Sequence, residues 1–498
     1  MKYKAVGAIA CVAVLVIGVL NWPALVLKKT EKKRVHQHET APVKEECRQT
    51  HTPGQLCSHL PLICIQTGGQ IIPGGGLTDE EGRYVGHQLT ETGEDRITAT
   101  LQTVDREGLY NHPEDEPNLS SRIMIHVRGN SSRYFAKHGY RIRLIDEEGN
   151  SNPQSLLGMG AHQDWVLHGP YLDKTLIRNY MMYNLSGEIM EYAPNVRFCE
   201  VMIDGKYEGV YLLTEMIGAG KNGSRLNLSL NAKDNTYTGY LLRLDRQNEI
   251  EEDRLNSLTS YTYRKVPELK LEVEFPGPRH LTEEMKKAIE DDFSQFEKAL
   301  YSYDFDSHRY GYETYVDVDS FVSYFLIHEV VVNYDAGSYS TYIYKDIDKK
   351  LKPCVWDFNN ACDNYQEQSM MTVQHFELQN KIWLSMMMKD EAFVDRVIEK
   401  YRSLRKTWLS EEYLLSYIDS VIEYLGPAIE RNNQRWQQAY EDDTLLYPAE
   451  RNPHSYEEAV NQLKNFFIVR TRWMDDNIES LKQYCADSKI KKYTEVTD

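Results

Sequence analysis

An α+β fold, strand-rich in front and helical behind, follows from three features of this 498-residue sequence. Up to about residue 245, short apolar runs alternate with turn residues, as strands do. From Leu281 onward, apolar residues recur at helical spacing. One hairpin interrupts the helical part, within Asn333 to Tyr365, NYDAGSYSTYIYKDIDKKLKPCVWDFNNACDNY. A strand-rich front, a helical back and a hairpin at the junction imply two lobes with a cleft.

In the strand-rich part, His59 to Thr67, Arg96 to Val104, Arg122 to Val127 and Tyr140 to Ile145 are expected as strands, with a Gly-rich turn at Pro73 to Leu77. Thr175 to Met190 has helical spacing, with Asp173 as its cap. Arg197 to Ile203 and Gly209 to Glu215 form a hairpin through Asp204-Gly205. Ser229 to Arg264 is a polar, Tyr-rich insertion around the strand Gly239 to Asp245. The helices expected beyond it are Glu283 to Tyr301, Asp319 to Val332, Gln379 to Arg405, Glu411 to Arg431 and Tyr456 to Tyr484.

The central hairpin carries two carboxylates, Asp335 and Asp357. The strands Thr341 to Tyr344 and Leu351 to Trp356 flank a charged turn at Asp346 to Lys350. One acid precedes the first strand and one follows the second, so both emerge on the same side of the sheet. Phosphotransferases of the protein-kinase type use this layout, one Asp orienting the acceptor hydroxyl and one holding Mg²⁺. The plainer alternative makes both residues turn formers beside strands.

Arg128 to Ser132, RGNSS, lies between two strands, where Gly129 and the small residues Asn130, Ser131 and Ser132 let backbone N–H groups approach an anion. Lys137 stands just ahead of the second strand, within reach of the same phosphates; a hairpin turn with a solvated Lys is the alternative. Arg178 either faces phosphate or forms a structural ion pair. Glu215 ends GVYLLTE where a hinge between lobes would fall, there to meet a base or ribose, or else it is simply exposed. No Walker loop, HExxH or GxSxG occurs.

Composition narrows the classes. A net charge of −18 argues against general nucleic-acid binding, which needs a basic face. It permits a basic protein substrate, or a nucleotide escorted by a divalent metal. Cys47, Cys57 and Cys64 cluster without any CxxC pair, which argues against zinc and suits disulfides outside the cell. Ala5 to Leu27 is apolar over a bilayer-spanning length and reads as an uncleaved signal-anchor, a cleaved signal peptide being its competitor. Lys28 to Arg34 favour a cytoplasmic body by charge counting, whereas the cysteines favour the outside. The expected organisation is residues 1–28 as anchor, 29–46 as polar linker, 47–485 as the globular domain and 486–498 as a polar tail. Within that domain the strand-rich lobe runs over about 55–245 and the helical lobe over about 281–485.

RGNSS with Lys137, DWVLHGPYLDKTLIRN, DGKYEGVYLLTE, NYDAGSYSTYIYK and VWDFNNACDNY occur in this order, and the set resembles the CotH kinase family, atypical protein kinases first associated with bacterial spore coats. The resemblance runs from about His59 to about Tyr365. It implies a divergent protein-kinase-like, bilobal fold that binds ATP with Mg²⁺ (Mn²⁺ as a substitute) and phosphorylates Ser or Thr on secreted or surface proteins. It also tips the body to the extracellular side. On this resemblance Asp335 is the catalytic acid, Asp357 the metal-binding acid, and Lys137 the phosphate-anchoring lysine. Arg128 to Ser132 form the phosphate-side loop. Two positions depart from the family pattern: Ser340 stands where an Asn helps hold metal, and Asn359 where WDxD has its second acid. Asp363 and Asn360 are possible substitutes, and Glu188 is the guess for the helix Glu that pairs with the kinase lysine. A pseudokinase or surface-attached scaffold of the same fold is the alternative, and a carboxylate-based glycoside hydrolase a distant one.

Overall fold

Seven strands shape the front of the molecule, three of them (Ile97–Val104, Leu119–Arg128 and Gly139–Ile145) with alternating burial, in a computed structural model that describes residues 32–45, 55–221, 224–231, 237–246, 257–258, 269–368 and 372–488. The strands run in the order β1 (Leu62–Gln66), a small hairpin of β2 (Gly76–Thr78) and β3 (Tyr84–His87), then β4 (Ile97–Val104) and β5 (Leu119–Arg128). β6 (Gly139–Ile145), β7 (Asp164–His168), β8 (Val196–Ile203) and β9 (Lys206–Glu215) follow. All but β2 and β3 close into a barrel of order β1-β4-β5-β6-β7-β9-β8, antiparallel except at the parallel β1–β8 seam. Every second residue fills its interior: Ile97, Ala99 and Leu101 from β4, Ile123, Ile125 and Val127 from β5, and their counterparts through Trp165 and Leu213. β8 and β9 are apolar on both faces because Val196, Phe198, Val210 and Leu212 point outward into the main core.

The mixed α+β class agrees with the sequence. The closed barrel was not part of that expectation. Nor does the strand at Gly239 to Asp245 belong to the strand-rich front. β10 (Tyr240–Arg246) joins β11 (Ser257–Leu258), β12 (Leu269–Phe275), β13 (Thr341–Lys345) and β14 (Lys352–Cys354) in a second sheet of order β11-β12-β10-β13-β14. This sheet shares one core with the helices that follow it and with the outer face of β8 and β9.

Among the helices are α1 (Gln37–Thr40), α2 (Arg178–Ile189), α3 (Glu283–Leu300), α4 (Val318–Val330), α5 (Glu391–Leu404), α6 (Glu411–Leu425), α7 (Pro427–Arg435) and α8 (Tyr456–Asn477), with further single turns at Leu384–Met387 and Gln438–Glu441. Side-chain caps start most of the long ones: Thr282 accepts from Met285 N, Asp317 from Ser320 N, Asp390 from Ala392 N, Ser410 from Tyr413 N and Ser455 from Glu458 N. Two expected helices are interrupted, the Gln379–Arg405 run into the short turns Leu378–Asn380 and Leu384–Met387 and then α5. Asp390 caps α5 and so ends the run from Gln379, and Gly426 at φ 42° followed by Pro427 separates α6 from α7.

The stretch expected as a polar linker is partly seated on the body. Arg34 donates to the carbonyls of Tyr183, within α2, and of Ala193 and Pro194 beyond it. The Gln37 amide bonds both the N–H and the carbonyl of Phe198 on β8. Residues 1–33 separate from 34–498 as a distinct unit. The Ala5–Leu27 segment lies outside the described residues, among which no helix is long and apolar enough to cross a membrane.

A buried ion pair ties the helical part together. Arg470 on α8 bonds Glu329 on α4 at 2.5 Å, both side chains fully buried. Its other nitrogen donates to the carbonyls of Val373 and His375, while Glu329 accepts from the N–H groups of Glu377 and Leu378. The pair therefore anchors the 373–378 chain beneath the end of α4. Arg470→Ala leaves an uncompensated buried charge and should cost about 3–5 kcal/mol in urea unfolding, whereas Glu329→Leu with Arg470→Met should recover most of that loss.

Candidate active site

Asp335 sits in the turn between α4 and β13, five residues past the end of the helix. Its carbonyl accepts from Ser338 N at 3.1 Å and Tyr339 N at 2.7 Å, which fixes the turn. Asp357 follows β14 by three residues, at the opposite end of the hairpin. The register Tyr342↔Cys354 and Tyr344↔Lys352 brings these two ends together, and Asp357 exerts the largest like-charge influence on Asp335. Asn360 Nδ2 donates to Asp335 Oδ2 at 3.1 Å, and Asn333 Nδ2 donates to the Asp357 carbonyl at 2.8 Å, so each loop reaches into the other. Burial, and then the Asp357 carboxylate, raise the pKa of Asp335, while Arg246 and Asn360 oppose the rise.

Helix α2 holds the second loop. Asn179 and Tyr183 lie four apart and therefore on one face. Asn179 Oδ1 accepts from Phe358 N at 2.7 Å, and its Nδ2 donates to Asn359 Oδ1 at 3.2 Å. Tyr183 Oη accepts from Asp357 N at 3.0 Å. Asn359 in turn donates its N–H to Asp357 Oδ1 at 3.1 Å. His168, at the end of β7, faces Asp357 and Asn359, and burial lowers its pKa to about 4, which leaves the ring neutral at pH 7. Backbone strain concentrates here. Val332, Ser340, Asp357, Cys362 and Asp363 all have φ between 48° and 57°. A left-handed Val is a genuine outlier, and such residues persist only where surrounding bonds hold them.

The Arg128–Ser132 loop comes beside the Asp357 segment through Arg128, whose guanidinium lies over the ring of Trp356 at 5.7 Å. Gly129 adopts φ 122°, and a Cβ there would stand 1.9 Å from Ser132 Oγ, so only Gly fits. Its carbonyl accepts from Arg133 Nε, which closes the single turn Ser131–Tyr134. Asn130 and Ser131 are exposed and Ser132 is half-buried.

Three expected ligand-binding residues are used by the protein itself. Lys137 is 1% exposed, and its ammonium donates to the Val210 carbonyl at 2.7 Å and to Asn432 Oδ1 at 2.8 Å. Tyr211 supplies a ring 5.0 Å away, and burial pulls the lysine pKa well down. Arg178 is a buried structural residue, bonded to Asp173, Ala361 O and Cys362 O. Glu215 is not at an exposed hinge. It is buried, paired with Arg225, and accepts from the backbone and side chain of Asn195. Glu188, the expected partner of the lysine, bonds His36 instead. Lys137, Arg178 and Glu215 were placed in the site because a charged residue inside a motif looks solvent-facing in sequence.

Of the two expected auxiliary metal ligands, Asn359 stands beside Asp357. No hydrogen bond among the described residues joins Ser340 to either acid; the side chain that reaches Asp335 is Asn360. Asn333, Asn179, Tyr183 and Arg246 were not singled out. Only the i, i+4 spacing of Asn179 and Tyr183 signalled any of them. Among the described residues no three His, Cys, Asp or Glu side chains converge to hold a metal on their own. The donors are instead the carboxylates of Asp357 and Asp335 and the amide oxygen of Asn359. Asp335 Oδ1 and Asn333 Oδ1 are buried without a hydrogen-bond partner. This hard-oxygen set fits Mg²⁺, which is bound by one or two carboxylates together with substrate phosphates.

Two acids on loops flanking a hairpin, braced by a buried helix, make a two-carboxylate site. The family model for CotH kinase protein matches residues 125–474, and the chain belongs to that family. No curated protein matches it. Membership suggests an atypical kinase.

Because Asp335 has a raised pKa in the fold, its ionised form is held at a cost that is present at neutral pH and vanishes as pH falls below the unfolded carboxyl value. Asp335→Asn should therefore raise the Tm at pH 7, and the gain should shrink toward pH 4 in thermal melts across that range.

Proposed function

We propose that the chain is an atypical protein kinase that transfers the γ-phosphoryl group of ATP to Ser or Thr hydroxyls of secreted or surface proteins. The observation that carries this reading is the mutual approach of Asp335 and Asp357 at the two ends of one hairpin, within the family match. The barrel serves as the counterpart of a kinase's strand-rich lobe, and the second sheet with its helices as the counterpart of the helical lobe.

In this reading Asp335 orients the acceptor hydroxyl and takes its proton as the oxygen–phosphorus bond forms. The bond from phosphorus to the β,γ-bridging oxygen breaks, and ADP leaves. Asp357 and Asn359 would hold Mg²⁺, with Mn²⁺ as a substitute; bound there, the ion supplies positive charge against the phosphates. Asn179 and Tyr183 keep Asp357 in place by fixing the backbone on either side of it, which is where positioning enters the rate. Asp245, Asp335 and Glu377 give this side of the site a negative character that suits acceptors with basic residues near the hydroxyl. We also place the body on the extracellular side of a membrane anchor at Ala5 to Leu27, following the family resemblance.

A second reading, a nucleotide-free scaffold of the same fold, draws support from the sequestered Lys137. Radiolabelled ATP with Mg²⁺ or Mn²⁺ and a basic Ser-rich peptide separates the two. The kinase should incorporate label, and Asp335→Asn or Asp357→Ala should lower the rate by about 10²-fold or more, the scale on which a positioned acid–base group contributes. No incorporation and no nucleotide-induced thermal shift in the wild-type protein would leave the scaffold.

A further inference from the structure

With Lys137 enclosed, the nucleotide's phosphates need another source of positive charge, and two arginines face the acids from different sheets. Arg246 is the last residue of β10. The register Leu244↔Thr341 carries it past the end of the β10–β13 ladder to lie alongside the Asp335 turn. Its guanidinium stacks on the Tyr339 ring at 3.6 Å, and Nη2 stands 3.7 Å from Asp335 Oδ1. That oxygen has no hydrogen bond, so the contact is a loose ion pair that a better anion can displace. The Arg246 side chain is 42% exposed, so one side of the guanidinium meets solvent. Arg128 comes from the other side, at the end of barrel strand β5. It lies over Trp356, the residue before Asp357, and acts on the same neighbours as Asp357, namely His168 and Tyr183.

We propose that Arg246 and Arg128, not Lys137, are the side chains that neutralise the nucleotide's phosphates, Arg246 at the terminal phosphoryl group beside Asp335 and Arg128 at the inner phosphates beside Asp357. This deepens the kinase reading and rests on it. Stacking on Tyr339 orients the planar guanidinium before the nucleotide arrives, which lowers the ordering cost of a forked contact to phosphate oxygens. When Arg246 turns from Asp335 to the phosphoryl oxygens, it also uncovers the carboxylate that receives the acceptor proton. A cation beside the transferring group acts where charge develops in the transition state.

The test is titration of the full-length, detergent-solubilised chain with fluorescent ATP and ADP analogues in the presence of Mg²⁺. Arg246→Ala should weaken ATP by about tenfold, the scale of one charge-assisted contact, and ADP by less than about threefold. Arg246→Lys should recover part of the ATP affinity, since it keeps the charge and loses the fork. Arg128→Ala should weaken both nucleotides by about tenfold. Lys137→Met, checked as folded by circular dichroism, should lower the Tm but leave both affinities within about threefold of wild type. Unchanged ATP binding in Arg246→Ala, or equal losses of ATP and ADP, overturns the assignment of Arg246. Unchanged binding in Arg128→Ala overturns that of Arg128, and a tenfold loss in folded Lys137→Met restores the lysine to the role. A wild-type protein that binds neither nucleotide removes the kinase reading itself, an outcome distinct from any of these.

Discussion

Arg178 donates through Nε to the Ala361 carbonyl and through Nη2 to the Cys362 carbonyl, while Nη1 holds Asp173 at 2.6 Å. All of these groups are buried, so each carbonyl has exchanged water for this one guanidinium. The arrangement fixes the start of α2, because Asp173 also accepts from the N–H groups of Thr175 and Arg178. It equally fixes the loop after β14. Asn179 and Tyr183, one residue and five residues further along the helix, then bond the backbone at Phe358 and Asp357. The placement of Asp357 thus depends on a helix that touches it mainly through backbone groups.

Such bracing explains how the site holds its strain. Left-handed backbone at Val332, Asp357 and Cys362 is unfavourable in isolation, yet each of these residues lies beside a buried hydrogen bond between loops. The Cys362 N–H, for example, donates to the Val331 carbonyl at 2.8 Å and so joins the two acid-bearing loops directly. The Glu329–Arg470 pair extends the same scheme beneath α4, four residues before Asn333. Two like charges can be kept close together because their loops cannot separate. Burial, and after it their repulsion, is expressed in the raised pKa of Asp335.

The hairpin, six of the seven barrel strands and most of the helices were legible because alternation, helical spacing and capping residues are local signals. β7 and β12 were missed. Asp164–His168 is apolar on both faces and shows no alternation, whereas Leu269–Phe275, LKLEVEF, alternates strictly but lies just beyond a long polar insertion read as loop. The two acids were legible from their spacing around the hairpin and from the order of the motifs. The charged residues inside the other motifs were assigned less well, since a buried Lys137 and a solvent-facing one are spelled identically.

By itself the sequence determined the α+β class, the hairpin that presents two acids at neighbouring ends, and membership of a kinase family through several motifs in order. Only the tertiary structure decided that the front closes as a barrel, that Lys137, Arg178 and Glu215 serve the protein's own interior, and that Arg246 lies against Asp335. The reason is physical. Periodicity and turn chemistry are set by neighbours along the chain, whereas the partner of a charged group is set by segments that may be 295 residues away, as Asn432 is from Lys137.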